Sequence, residues 1–499
     1  MSALSRKAGA PSADRAPSDA QGASAAFHAR IMPPPPSAAV GLTRQGLALF
    51  AVGDFRRAEQ AFRTVVEVAP HQALAWNNLA LVLVSLGEHG EAAAALERSV
   101  GLDPTQVATW ISLAAAFLRL DRADAAEEAC VAALALDAGN AAAWQTRAFA
   151  SVQAENFHGA AEAFARTIAL AGDSAALRFN LGVALMRCSQ FEEAAASLAA
   201  ALALDPTLAA ALECKQVCDV VLAAIAGDMA MAGVTALAAP DLGRILKTAL
   251  LLLNGAGERA AAARVSEAWV RVSPGNIEAT HLRDAALSRP VDRQPAALVA
   301  QHFDGIADDF DDRLVRRLGY EGPGRLLGLI TSRIVADGTL DVLDLGCGTG
   351  LCAPLLRPYA RRLAGVDLSA RMLAKARALK LYDRLATGDL LDALSGRPGR
   401  RDLLVAADTL PYLGDLAPVF DGAARVLRPG GWFAFSTETI EGDSFVLKAD
   451  GRYAHGRRYV ERMTAGRFEV AGEVTAPLRR AAGRTVVGDF FLLRRLRAA

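Results

Sequence analysis

The first half of the chain carries a pattern of small, large and polar positions that recurs about every 34 residues. Prolines mark the period, at Pro70, Pro104, Pro206, Pro240 and Pro274. Small residues recur at the eighth and twentieth positions of a unit, as at Ala80 and Ala92, and large residues recur at the fourth and twenty-fourth, as at Trp76 and Leu96. This period predicts stacked helix pairs, in which small residues allow close approach and large residues fill the gaps.

The second half carries a different pattern, in which short apolar runs alternate with amphipathic segments. The runs "LDVLDLG", "RLAGVDL", "DLLVAAD" and "GWFAFST" indicate buried strands, and "SARMLAKARALK" indicates a helix. Alternation at this spacing predicts a parallel sheet with helices on both faces, whose ligand lies at the carboxyl ends of the strands. The segment "PVDRQP", residues 290–295, separates the two patterns and is typical of a linker.

The 34-residue pattern resembles the tetratricopeptide repeat, most clearly in "WNNLALVLVSLGEHGEAAAALERSVGLDP". The first five units carry the signature, whereas the last two keep the spacing and lose most of it. The resemblance implies an all-α solenoid with a curved groove. Most groove positions of that family are apolar in this sequence: Leu47, Phe50, Leu81, Val84, Ile111, Leu118, Phe149, Val152, Phe179, Val183 and Met186, with Asn77 as a polar one.

An apolar groove predicts that the repeats bind an apolar or helical segment of a partner or substrate protein, rather than a charged chain terminus. A tightly closed groove, or one filled by this chain's own second domain or tail, explains the same residues. The sequence leaves both interpretations open.

The stretch "DVLDLGCGTG" places a glycine loop directly after the first strand of the second half. A dinucleotide loop has the spacing G-x-G-x-x-G, whereas the glycines here are Gly346, Gly348 and Gly350, and position 351 is Leu351. Asp344 precedes them, and a carboxylate there would repel a pyrophosphate and attract a cationic ligand. The loop therefore predicts a positively charged nucleoside as ligand.

The pattern D-x-G-x-G-x-G resembles motif I of the class I S-adenosylmethionine-dependent methyltransferases, and "LRPGGWF" resembles that family's segment before the fifth strand. Asp367 and Asp389 stand where that family has acids for the ribose hydroxyls and the adenine amine. The resemblance implies an α/β Rossmann-like domain with S-adenosylmethionine as cofactor and no metal. Cofactor contacts are expected at Asp344, Gly346, Cys347, Gly348, Gly350, Asp367, Leu368, Met372, Asp389 and Leu390.

The acceptor site is less well defined by the sequence. Asp408 follows the fourth strand, and Tyr453 and His455 lie in "GRYAHGRRY", in an insert where these enzymes often build acceptor pockets. Asp408, His455 and Tyr453 are the candidate catalytic residues, since each could take a proton from an acceptor. A surface loop is the alternative for the last two. Arg479 belongs to a basic C-terminal run, which is typical of a solvated face, or of a site for an acidic cofactor or an acyl-carrier acceptor.

Composition narrows the choice of partners. Lys and Arg total 54 and Asp and Glu total 54, so no net charge favours nucleic acid, and we expect no nucleic-acid partner. No apolar run approaches the roughly 20 residues that cross a bilayer, so we expect no membrane span and a cytoplasmic location. The six cysteines are scattered, which fits reduced thiols.

The predicted organisation is multidomain. It comprises a disordered Ala/Ser/Pro-rich arm over 1–38, seven tetratricopeptide repeats over 39–276, a capping helix and linker over 277–295, and a methyltransferase domain over 296–499. The whole resembles bacterial fusions of these two modules. We expect methyl transfer to an acceptor recruited or presented by the repeats, with a protein acceptor favoured. The alternatives are a small-molecule methyltransferase that uses its repeats for assembly, and an interaction scaffold without turnover.

Overall fold

The computed structural model describes residues 38–229, 239–289, 291–312, 314, 319–481 and 484–497. Apart from Ala38, which begins the first helix, the arm predicted for 1–38 lies outside the described residues. The chain divides into two compact units, one up to residue 236 and one from residue 237. Each unit has its own architecture.

The first unit is a succession of helices, each packed against its neighbours along the chain. In the described part of this unit they are α1 Ala38–Ala51, α2 Phe55–Val68, α3 Ala73–Ser85, α4 His89–Leu102, α5 Val107–Arg119, α6 Ala123–Leu136, α7 Ala141–Gln153, α8 Phe157–Ala171, α9 Ala175–Arg187, α10 Phe191–Leu204 and α11 Ala209–Ala226. The even-numbered helices from α2 to α10 begin about every 34 residues. The predicted all-α repeat architecture is confirmed.

Small residues lie where these helices approach most closely. The alanines at the twentieth position of the first five units are fully buried: Ala58, Ala92, Ala126, Ala160 and Ala194. A Cβ atom on Gly182 would lie 2.6 Å from Cγ of Leu198, and one on Gly46 would lie 2.8 Å from the Phe62 ring. Larger side chains at these positions would force neighbouring helices apart.

Three tryptophans each form a hydrogen bond from the first helix of a pair to the turn that precedes it. The indole N–H groups of Trp76, Trp110 and Trp144 donate to the carbonyl oxygens six residues earlier, at 2.9, 2.8 and 2.9 Å. The same side chain thus fills the gap between helices and satisfies a carbonyl in the turn.

The predicted groove residues differ in exposure. Val84, Phe149 and Val152 are exposed, whereas Phe179 and Met186 are buried. Part of this surface therefore remains accessible on the described repeats.

The second unit begins with helices and continues into the sheet. The helices are α12 Ala239–Ala256, α13 Arg259–Val272, α14 Ile277–Ala286, α15 Ala296–Ile306, α16 Gly322–Thr331, α17 Ala353–Leu356, α18 Ala370–Ala378, α19 Leu390–Leu394, α20 Ala417–Val426 and α21 Arg457–Thr464. α12 to α14 thus group with the sheet rather than with α1 to α11. The division into seven repeats ending at residue 276 stays a prediction.

The described strands form one nine-stranded sheet. They are β1 Leu340–Leu345, β2 Ala360–Asp367, β3 Arg384–Thr387, β4 Arg401–Ala406, β5 Leu427–Ile440, β6 Phe445–Leu447, β7 Tyr453–Gly456, β8 Phe468–Ala481 and β9 Arg484–Arg495. The order β3-β2-β1-β4-β5 is parallel throughout, and β9 pairs antiparallel with β5 and with β8. The predicted α/β fold is confirmed, and the carboxyl ends of five strands meet at one edge.

Both faces of the sheet are covered. On one face Phe420 of α20 packs against Phe433 and Phe435 of β5, with ring centroids 6.1 and 5.5 Å apart. On the other face Leu326 and Ile330 of α16 lie in the core with the buried side chains of β1 and β4. Burial on both faces explains why every residue of β1 except Asp341 and Asp344 is apolar.

Candidate functional site

A cavity of about 260 Å³ lies at the carboxyl edge of β1 to β4. Nine of the residues predicted from the sequence line it: Asp344, Gly346, Cys347, Gly348, Asp367, Leu368, Asp389, Leu390 and Asp408. Gly350, Met372, Tyr453 and His455 do not line it. The structure therefore brings the predicted cofactor acids and Asp408 into one site.

Glycine is needed for a different structural reason at each of the three positions in the loop. Gly348 has a φ of 53°, and a Cβ atom there would meet nothing within 4 Å, so the chain is open to the cavity at this point. A Cβ on Gly346 would lie 2.5 Å from Oγ1 of Thr409, and one on Gly350 would lie 2.8 Å from Cδ1 of Leu379. Gly350 therefore serves packing against the segment after α18, and a direct ligand contact by Gly350 has no support from the cavity lining.

Asp344 is buried at the end of β1, where the hydroxyl of Tyr382 donates to its Oδ2 at 2.6 Å. Burial is the main cause that raises the pKa of Asp344, and the nearby charge of Asp367 adds to it. The hydrogen bond from Tyr382 opposes both, and the resulting pKa is about 7. The carboxyl group is thus poised to become ionised when a positive charge enters the cavity.

Asp367 is held by the backbone at the end of β2. The N–H groups of Gly348 and Ser369 donate to its two oxygens, each at 2.8 Å. Burial raises the pKa of Asp367, although these two hydrogen bonds oppose the rise. The carboxylate therefore has a defined position beside the open glycine.

Ser369 connects this acid to the helix that covers the cavity. Its hydroxyl caps α18 by accepting from the N–H of Met372 and donates to Oδ1 of Asp304 in α15 at 2.6 Å. Met372 is consequently fully buried behind the loop and is placed to pack rather than to line the cavity. Phe303 and Ile306 of α15 line the cavity.

Asp389 caps α19, because its Oδ1 accepts from the N–H of Leu391 at 2.9 Å. Its other oxygen forms an ion pair with Arg293. Arg293 belongs to the stretch predicted as a linker, which crosses the cavity edge: Gln294 N–H donates to the Tyr412 carbonyl at 3.0 Å, and Arg293 bridges to Leu413. This segment is therefore part of the cavity wall.

At the β4 and β5 side of the cavity, Asp408 is bound by two arginines. Its carboxylate lies 2.8 Å from Nη2 of Arg452 and 3.1 Å from Nη1 of Arg479. Its backbone has a φ of 52°, in the left-handed region, and its N–H donates to Oγ of Ser436 at 2.9 Å. The carboxylate is thus oriented by strong partners rather than left to abstract a proton.

Glu438 lies behind the same arginines. Burial alone would raise the pKa of Glu438, but Arg452, Arg479 and Lys448 together lower it to about 2. Its carboxylate is 2.8 Å from Nε of Arg452 and also pairs with Nη2 of Arg479. Glu438 therefore stays ionised at neutral pH.

Tyr453 and His455, the other two catalytic candidates, are fully buried in β7. Nε2 of His455 lies 2.9 Å from the carbonyl oxygen of Leu413, and burial lowers the pKa of His455 to about 4 despite this bond. The ring is therefore neutral at pH 7 and donates to that carbonyl. Tyr453 packs against Phe445, with ring centroids 6.1 Å apart. Both residues support the wall around Leu413, and neither reaches the cavity, because their strand faces the core.

The lining also includes residues that the sequence did not indicate, among them Arg293, Tyr412 and Arg452. Arg452 lies in "GRYAHGRRY", the stretch that also holds Tyr453 and His455. Arg479 lies in the basic run for which the sequence left a solvated face or a site for an acidic ligand open, and its side chain is only 8 % exposed. No local signal in the sequence indicates these arginines, because Arg293, Arg452 and Arg479 are 96, 44 and 71 residues away from the acids they bind.

We call the part of the cavity lined by Asp344, Asp367 and Asp389 the donor side, after the methyl donor that it would hold. This side fits S-adenosylmethionine. Asp344 and Asp367 offer carboxylates to a cationic nucleoside with hydroxyl groups, and the open position at Gly348 leaves room for the ligand to approach the backbone. No pyrophosphate is suited to this side, because two acids would face it.

Family models match both units. Residues 343–435 match a methyltransferase domain. Residues 43–107 and 147–209 match the tetratricopeptide repeat. Within the described part of the chain, no helix has both the length and the apolar character to cross a bilayer.

Several curated proteins are similar to part of this chain. The ubiquinone biosynthesis O-methyltransferase of Thiobacillus denitrificans is 34% identical over 115 residues, 22% of this chain and 49% of that protein. The malonyl-[acyl-carrier protein] O-methyltransferase of Pectobacterium atrosepticum is 35% identical over 139 residues, 28% of this chain and 52% of that protein. The chain thus spans about half the length of the curated relatives it matches.

A solved structure with a ligand is also similar. The 1,6-didemethyltoxoflavin-N1-methyltransferase of Burkholderia thailandensis, crystallised with S-adenosylhomocysteine, is 18% identical, with a TM-score of 0.34, covering 40% of this chain and 89% of that one.

Proposed function

We propose that this protein transfers a methyl group from S-adenosylmethionine to an oxygen atom of an acceptor bound in the cavity. The chain joins tetratricopeptide repeats to a methyltransferase domain. The observation that carries the proposal is that Asp344, Asp367 and Asp389 line one cavity together with the open backbone at Gly348. Oxygen is favoured because several similar curated proteins are O-methyltransferases.

Each residue of the donor side has a role in this proposal. Asp367 accepts hydrogen bonds from the ribose hydroxyls, and Asp389 accepts one from the adenine amine. The ionised Asp344 stabilises the positive charge of the ligand. When bound, S-adenosylmethionine supplies a methyl group already activated on sulfur. The protein then has to align the acceptor and exclude water, and α15 covers the cavity from the solvent side through Phe303 and Ile306.

The acceptor in this proposal is carried by a protein that the repeats bind. Exposed apolar side chains at Val84, Phe149 and Val152 offer a surface for a helical or apolar segment. The repeats then raise the local concentration of the acceptor near the methyltransferase domain. A small metabolite as acceptor, with the repeats used for assembly, and a scaffold without turnover are the alternatives.

Transfer of tritiated methyl groups to a cell extract tests the proposal. The wild type labels macromolecules, Asp367→Asn labels them weakly, and the double variant Val84→Glu, Val152→Glu loses protein labelling while keeping cofactor binding. Val68→Glu, at another exposed valine, is the matched control and leaves labelling unchanged. Labelling of small molecules that survives the groove changes supports the metabolite alternative, and cofactor binding without any transfer supports the scaffold.

A further inference from the structure

Charge is divided between the two sides of the cavity. The acids near the carboxyl ends of β1, β2 and β3 lie on the donor side. They are Asp344, Asp367 and Asp389, and only the last is paired with an arginine in the described contacts. On the β4 and β5 side the lining carries two arginines, Arg452 and Arg479, against one acid, Asp408. The sheet order β3-β2-β1-β4-β5 keeps these two groups apart. Glu438, behind the lining, pairs with both arginines and balances the second positive charge. One side of the cavity thus offers carboxylates, and the other offers the N–H donors of two guanidinium groups.

The two arginines are rigidly held. Nη1 of Arg452 donates to the Tyr412 hydroxyl at 2.9 Å, Nη2 donates to Asp408, and the guanidinium carbon lies 4.9 Å from the centre of the Tyr412 ring. Arg479 contacts both Asp408 and Glu438. Each guanidinium has five N–H donors, so the two together retain donors beyond those used on these three partners. Planar guanidinium groups in fixed positions are suited to bind a carboxylate through two parallel hydrogen bonds.

We propose that the acceptor group is a carboxylate, held by Arg452 and Arg479, and that the product is its methyl ester. The proposal rests on the proposed function, since it names the acceptor class of the same cavity. It separates this chain from enzymes that methylate a neutral hydroxyl.

The chemistry balances without a proton transfer. A lone pair of the acceptor carboxylate forms the new oxygen–carbon bond, the bond from that carbon to sulfur breaks, and its electron pair remains on sulfur as a neutral thioether. A carboxylate is already ionised at neutral pH, because ordinary carboxyl pKa values lie near 4. No general base is needed, which agrees with an Asp408 that is occupied by two arginines.

The reaction also suits the polarity of the cavity. An anion and a cation combine to give neutral products, so the transition state carries less separated charge than the reactants. Water stabilises the charged reactants more than it stabilises this transition state. An enclosed cavity with few waters therefore favours the reaction. The cavity lining also has apolar residues, including Phe303, Phe310, Leu314 and Leu413. The carboxylate is therefore expected at the end of an apolar chain.

Binding of three probes with the same carbon chain tests the proposal on the full-length protein. Ligand-observed NMR titrations measure hexanoate, methyl hexanoate and hexan-1-ol, each with and without saturating S-adenosylhomocysteine. Hexanoate is expected to bind about tenfold or more tightly than either neutral probe, because charge-assisted hydrogen bonds are lost with the neutral compounds.

Variants of the arginines identify the residues responsible. Arg452→Gln is expected to remove the preference for hexanoate, and Arg452→Lys keeps part of it because the charge remains without the planar donor pair. At position 479 the variant is Arg479→Lys, which keeps the charge. Arg479→Gln is not used, because loss of that charge would leave two buried carboxylates short of a partner and would endanger folding. Arg462→Gln, an arginine that does not line the cavity, is the matched control and leaves all three affinities unchanged.

The outcomes separate the two proposals. Equal binding of hexanoate and methyl hexanoate by the wild type, absence of hexanoate binding, or a preference that survives in both Arg452→Gln and Arg479→Lys would overturn the carboxylate proposal and leave the arginines with a structural role. Failure of S-adenosylhomocysteine to bind while hexanoate is still preferred would contradict the proposed function alone. Hexanoate preference that depends on Arg452 supports the carboxylate acceptor.

Discussion

The Nε2 nitrogen of His281 lies 2.9 Å from the carbonyl oxygen of Gly451, the residue directly before Arg452. His281 is buried on α14, and Nδ2 of Asn254 in α12 donates to the carbonyl of Ala449 at 3.1 Å. Two helices that precede the methyltransferase domain in the chain thus hold the turn from which Arg452 enters the cavity. The acceptor side therefore depends on residues well outside the 343–435 segment.

His281→Ala is expected to weaken acceptor binding selectively. The change leaves the Gly451 carbonyl without its partner, at a cost of about 1–3 kcal/mol for a buried group, and lets the turn move. We expect hexanoate affinity, or the KM for the natural acceptor, to worsen about tenfold while affinity for S-adenosylhomocysteine stays within a factor of about two.

The control for this variant is Thr280→Ala, whose hydroxyl donates only within α14, to the Asn276 carbonyl. An equal loss of affinity for both ligands in His281→Ala would mean that the histidine stabilises the whole domain and does not position Arg452.

Binding of S-adenosylmethionine is expected to depend on pH through Asp344. Its pKa of about 7 in the free protein means that about half of the molecules carry a protonated carboxyl at neutral pH. The cationic ligand favours the ionised form, so affinity falls as pH drops below about 7, by about tenfold between pH 8 and pH 6. Isothermal titration calorimetry at pH 8 and pH 6 measures this change in the affinity for S-adenosylmethionine.

Asp344→Asn removes this pH dependence and lowers the affinity measured at pH 8, since the ionised partner is absent. A wild-type affinity that is the same at both pH values would show that Asp344 does not interact with the charge of the ligand.

Gly182→Ala is expected to destabilise the repeats without affecting the cavity. The added methyl group would meet Leu198 at 2.6 Å, an overlap that costs about 1–3 kcal/mol. Thermal unfolding should show a lower Tm, and affinity for S-adenosylhomocysteine should not change.

Gly101→Ala is the matched control, because a Cβ atom there meets nothing within 4 Å in α4, and replacing a helical glycine stabilises by up to about 1 kcal/mol. A Tm for Gly182→Ala no lower than that for Gly101→Ala would contradict the close approach of α9 and α10.

The architecture and the donor side follow from local patterns in the sequence. A fixed period places alanines such as Ala92 and Ala126 at every helix contact, and acids at the ends of parallel strands meet at one edge whatever the details of packing. Asp344, Asp367 and Asp389 could therefore be predicted as neighbours from their positions after β1, β2 and β3.

The acceptor side could not be predicted in the same way. Arg479 reaches Asp408 through the pairing of β8 with β9 and of β9 with β5, a long-range register that local patterns do not encode. Arg452 reaches it through a turn held by α12 and α14. Tyr453 and His455 were chosen for their chemistry, but alternation along β7 gave no indication that both are buried.

The measurement that tests the account most directly is calorimetric titration of S-adenosylmethionine into the full chain. The account predicts binding to the wild type and a loss of about tenfold or more in Asp367→Asn, since the proposed role of this carboxylate is to accept hydrogen bonds from the ribose hydroxyls. It predicts unchanged affinity in Asp392→Asn, at an exposed acid on α19. Absence of binding to the wild type, or equal affinity in Asp367→Asn, would contradict it.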